Sequence, residues 1–119
     1  MSNSHSKTAR TTIWGDKAEK VEANLKALDP DLAELILNVA YDDVFERPGL
    51  ELKTKEFLAV AHLLNVGSES ELKTHLHGAF NCGATEAELK EIMLHAAMFI
   101  GLPKAVAGMK VLKAVLASR

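Results

Sequence analysis

The chain has 119 residues, 48% hydrophobic and 25% charged, and a net charge of −2. This is the size of one domain with one core and the composition of an ordinary globular protein. It offers no basic field for nucleic acid or an anionic membrane, no apolar run near the ~20 residues that span a bilayer, and no cysteine pair.

The polar start, residues 1–7, has no apolar stretch of the kind that directs secretion, and the lone Cys82 fits a reducing, cytoplasmic setting. Residues 1–15 are Ser/Thr-rich and without periodicity, so they are expected as a loose arm, with Ile13 and Trp14 as a docking point. A single helical domain is expected over 16–119. Ala18, Val21, Leu25 and Leu28 recur at helical spacing. Asp29-Pro30 ends that helix and starts the next, because Asp29 accepts from free amides and Pro30 suits a first helical position. Leu32, Leu35, Ile36, Val39 and Ala40 give the second helix one apolar stripe, which breaks near the turn Arg47-Pro48-Gly49.

A third helix is expected over 53–66, stopped by Gly67 in a left-handed conformation. Ser68 with Glu71, and Thr85 with Glu88, have the spacing of capping boxes and open the fourth and fifth helices, which end near Gly83 and Gly101. Pro103 starts the sixth, whose buried side is expected at Val106, Met109, Leu112 and Val115 or Leu116. Residues 57–64 hold one polar side chain, His62, and residues 92–100 hold one, His95. A helix apolar all round must be covered all round, and so small a monomer has little to cover two of them with. A homo-oligomer is expected, the alternative being a monomer with both helices at its centre.

Arg47-Pro48-Gly49-Leu50, Lys53-Thr54-Lys55-Glu56, Glu71-Leu72, His75, Gly78-Ala79, Asn81 with Gly83, Glu88 with Glu91, and Gly101 with Pro103 occur in an order and spacing that resemble one family. It is that of the carboxymuconolactone decarboxylases and their relatives the D-type alkylhydroperoxidases, over residues 29–116. The resemblance implies an all-α, alkylhydroperoxidase-D-like fold of about six helices with a central antiparallel pair, assembled as a trimer or hexamer. It implies either cofactor-free, metal-free decarboxylation of a lactone or thiol peroxidase chemistry. Glu56 and His75 match the glutamate and histidine of the peroxidase branch, but its two cysteines fall on Ser68 and Glu71. The decarboxylases resemble this chain around His75 and tend to carry arginine at His77, glutamine at His95 and tyrosine at Phe99.

Glu56 and His75 are therefore the expected catalytic pair, His75 as acid and Glu56 as its partner. The plainer alternatives are a salt bridge from Glu56 to Lys53, Lys55 or Arg47, and a hydrogen bond from His75 to Glu71. Arg47, His77 and His95 are candidate contacts to a small-molecule substrate. His77 lies about 200° round the helix from His75, so the two are a poor metal chelate. His62 and His95 also read as satisfied core or interface histidines. Cys82, at a helix C-terminus where the dipole disfavours a thiolate, is the candidate redox residue and reads more simply as inert. The expectation is acid/base chemistry on a small lactone or carbonyl compound without cofactor. Its rivals are a peroxidase using Cys82 and an oligomeric binding protein without catalysis.

Overall fold

A computed structural model describes residues 8–119, and among them it is helical between turns, with no strand. The contacts form two compact units, Met1–Leu52 and Lys53–Arg119. No helix among the described residues is long and apolar enough to cross a membrane.

In the first unit the expected loose arm is helical from Ala9 to Trp14 (α1); residues 1–7 lie outside the described residues. The helix forms because Thr8 and Thr11 each accept from the other's backbone amide, a reciprocal cap that threonine supplies as well as glutamate does. Ile13 and Trp14 are buried as the expected docking point, with the Trp14 ring 4.5 Å from Tyr41. A 3-10 turn, Gly15–Lys17, leads into α2 (Ala18–Leu28). Arg10 ties the unit together through Asp42 and Glu22.

Asp29 caps α3 (Pro30–Glu34), accepting from the Leu32 amide at 2.8 Å. The helix then continues as a π-helix, Leu35–Phe45. Here the expected stripe is corrected. The buried line is Ala33, Leu37 and Tyr41, while Leu32, Leu35 and Val39 stand exposed. Bonds from i to i+5 widen the winding, so positions four apart stay aligned and the alternating three-and-four pattern of an α-helix is lost.

The second unit holds α4 (Leu52–Val66), α5 (Glu69–Asn81), α6 (Glu86–Ile100) and α7 (Leu102–Ser118). Gly67, at φ 83°, ends α4 in the conformation expected of it. Thr85 and Glu88 form the complete capping box, whereas at α5 the cap is one-sided, the Glu71 amide donating to Ser68 Oγ at 3.4 Å. The core gathers Val60 and Leu64 of α4, Leu72 and Leu76 of α5, Leu89 and Met93 of α6, and Leu112 and Val115 of α7.

On α7 the expected Leu112 and Val115 are buried, with Met109 and Leu116 packed against the core; Gly108 joins them, and Val106, also expected there, is exposed. A Cβ at Gly108 would lie 2.1 Å from Leu64 Cδ2, so a side chain there would force Leu64 to shift. The two all-round apolar helices are covered on one side only. Leu58 of α4 and Leu94, Met98 and Phe99 of α6 are exposed, the last two to 73% and 78%.

Candidate active site

The helical repeat of α4 puts Glu56 on the same line as Val60 and Leu64, one turn apart each, and all three are buried. A carboxylate at the head of a core stripe is costly without a partner. Its partner is His75. Leu72, Leu76 and Ala79 turn α5 into the core, and His75 rides on the shoulder of that stripe. Its Nδ1 lies 2.9 Å from Glu56 Oε1, with the glutamate side chain 0% and the histidine side chain 15% exposed. Removing one member of such a buried pair costs about 3–5 kcal/mol, because the other is left uncompensated.

The expected salt bridge to Lys53 goes elsewhere: Lys53 Nζ is 3.3 Å from Glu88 and stands over the Phe57 ring. Glu71 reaches His75 through its charge only. For the imidazole, burial works against the charged form, but the hydrogen bond to Glu56, that carboxylate's charge and the charge of Glu71 outweigh it, and the pKa ends above its ordinary value. A charged ring donates Nδ1–H to Glu56 and keeps a proton on Nε2. Glu56 Oε2 is buried with no hydrogen-bond partner.

Cys82 follows α5, seven residues beyond His75 on the same face. Burial, and then the charge of Glu56, push its thiol up to about 11. At neutral pH it is a thiol and a poor nucleophile.

His77 belongs to another flank of α5. Arg119 donates to His77 Nδ1 at 3.0 Å and to Asn81 Oδ1 at 3.2 Å, and its guanidinium lies 4.9 Å from the Phe80 ring centre. Arg119 was missed in the sequence; the contact spans 42 residues and nothing local announces it. Arg47 lies in the exposed turn of the first unit. His62 is exposed and donates from Nδ1 to the Leu58 carbonyl at 2.7 Å, a satisfied histidine. His95 lies on the exposed face of α6, its ring 5.2 Å from that of Phe99. It lines a cavity of about 430 Å³ between α4 and α6, with Phe57, Leu58, Ala61, Ile92 and Phe99 among the walls. Neither Glu56 nor His75 lines that cavity. Among the described residues no group of three or more His, Cys, Asp or Glu side chains is placed to hold a metal.

The profile of the carboxymuconolactone decarboxylase family matches residues 30–114. The chain is 39% identical to the 4-carboxymuconolactone decarboxylase of Acinetobacter baylyi, over 84% of this chain and 75% of that one. It is 36% identical to the nitrosuccinic acid decarboxylase of Metarhizium robertsii, over 87% of this chain and 72% of that one. The match spans both units and includes Glu56 and His75. This all-helical, decarboxylase-like chain belongs to the carboxymuconolactone decarboxylase family.

Proposed function

We propose that the chain is a cofactor-independent decarboxylase, cytoplasmic and homo-oligomeric, acting on a small acid whose carboxylate is conjugated to an electron sink. The observation that carries this is the buried Glu56–His75 hydrogen bond, in a chain whose relatives are decarboxylases. Their two named substrates share that chemistry: a carboxyl group with a lactone in one, and with a nitro group in the other.

Loss of carbon dioxide breaks a C–C bond, and its electron pair passes to the sink, as a dienolate where the sink is an unsaturated lactone and as a nitronate where it is a nitro group. The carbon then takes one proton. His75 supplies it from Nε2, and Glu56 holds the ring in orientation and stabilises the imidazolium. The raised pKa favours the charged, proton-donating form of the ring. The test is decarboxylation of 4-carboxymuconolactone, then of related butenolide and nitro acids. His75→Gln is expected to lose 10² to 10⁴ in kcat, the usual worth of a general acid, with helicity retained. Glu56→Gln acts through the same step, so the double variant loses far less than the two single effects combined. Full activity in either single variant on a confirmed substrate sinks the assignment.

One observation favours a second reading, a binding protein without catalysis: the α4–α6 cavity has neither Glu56 nor His75 on its wall. That reading predicts no turnover across the same substrates and wild-type ligand affinity in His75→Gln.

A further inference from the structure

The face built by α4 and α6 has a hole and, beside it, a knob. The hole is the cavity of about 430 Å³ walled by Phe57, Leu58, Ala61 and Ile92. The knob is Phe99, 78% exposed at the cavity's rim, with Met98 next to it at 73%. An apolar cavity suits a small polar acid poorly. The one acidic group on this wall, Glu91, would repel a carboxylate, and no lysine or arginine lines it. An aromatic side chain suits it well.

Over 92–100 the outer surface of α6 carries no charged residue, so the exposed Glu91 on the cavity wall is the one ion on it that a partner meets. Leu58, Leu94, Met98 and Phe99 with the cavity wall make an apolar patch on the order of 500 Å², at the upper end of what monomers expose. That is more than half of the roughly 800 Å² per partner that a standard interface buries. A knob and a matching hole on the same patch meet the requirement of a two-fold contact, in which the patch must be complementary to itself.

We propose that this face joins two copies of the chain, the Phe99 ring of each entering the α4–α6 cavity of the other. This rests on the homo-oligomeric reading above and adds to it the surface and the mode. It makes the cavity a socket for a partner rather than a substrate site, and so accounts for a cavity that excludes both members of the catalytic pair.

The experiment is light scattering at micromolar concentration on wild type, Phe99→Ala, Ala61→Phe and the double variant, with circular dichroism as the check on folding. Wild type is expected at a multiple of 12.9 kDa. Phe99→Ala removes the knob and Ala61→Phe fills the hole, and each is expected at half the wild-type mass or less. The double variant restores the lost ring volume from within the same chain and is expected to regain the wild-type mass. Phe99 is exposed, so its variant folds even if Ala61→Phe does not. The apolar dye anilinonaphthalene sulfonate is expected to stay dark with wild type and to light up with Phe99→Ala.

A wild-type mass in Phe99→Ala overturns the proposed interface and leaves the oligomer reading standing. A double variant that stays dissociated overturns insertion into the cavity. Bright dye with the intact wild-type assembly shows an open cavity and overturns it too. A monomeric wild type overturns both readings.

Discussion

His75 joins a folded-state property to a solution observable. Its pKa is raised above the ordinary value of 6.5: burial alone would lower it, and the hydrogen bond and charge of Glu56, with the charge of Glu71, more than reverse that. A group whose pKa rises on folding binds its proton more tightly in the native state. Its stabilisation is therefore complete below about 6.5 and is lost as pH climbs through the raised value. The urea midpoint of wild type is expected to fall over that alkaline limb by more than that of His75→Gln. Turnover is expected to fall along the same limb, as the acid loses its proton. Cys82 runs the other way. With its thiol at about 11 against an ordinary 9.0, its thiolate fraction at neutral pH is about a hundredfold below that of a free thiol. Iodoacetamide is expected to alkylate it far more slowly in the native protein than in urea, and Cys82→Ser is expected to keep full decarboxylase activity. Rapid native alkylation, with activity lost in the serine variant, would revive a thiol mechanism.

At the scale of elements, the caps were legible and the stripes were less so. A cap is settled within four residues, which is why Asp29, Gly67 and Thr85 stand where the sequence puts them. The two boxes differ in the bonds they make. At α6, Thr85 and Glu88 satisfy each other's amides, while at α5 the Ser68 bond is long and one-sided. Thr85→Ala is therefore expected to cost about 1 kcal/mol in denaturant melts, and Ser68→Ala roughly half of that. Equal losses would mean that the reciprocal bond adds nothing. The stripe over 30–45 was misread because the backbone changes winding from α to π at Leu35, a change no residue type in the segment marks. On α7 the expected Leu112 and Val115 are buried; the misses are the exposed Val106 and the buried Gly108, whose contact with Leu64 is an absence of side chain that hydrophobic periodicity does not register. Glu56 and His75 were legible as candidates through the family pattern. Their bond was not, since it joins residues 19 apart on two helices and depends on how α4 and α5 turn toward each other.

For the whole molecule, the proposed homo-oligomer rests on α4 and α6, each with exposed large apolar side chains. Under the proposed homo-oligomer, covering these side chains would stabilise the native state by mass action, so the melting temperature is expected to rise with protein concentration. Differential scanning fluorimetry across a hundredfold range checks this. A concentration-independent melt together with a monomeric mass would remove the argument.

The unpartnered Oε2 of Glu56 has a consequence for how this chain can change over generations. One oxygen of the carboxylate already depends wholly on His75, and the other has nothing to fall back on. Losing the histidine by a single substitution strands a charge in the core, and losing the glutamate strips the ring of its anchor. Either step is penalised in folding before any change in catalysis is felt. A lineage that no longer needs the reaction therefore drifts away from the pair only by exchanging both residues together, or by first loosening the core around them. Retention of both residues in a relative is accordingly weak testimony that the relative is still an enzyme, and turnover has to be measured.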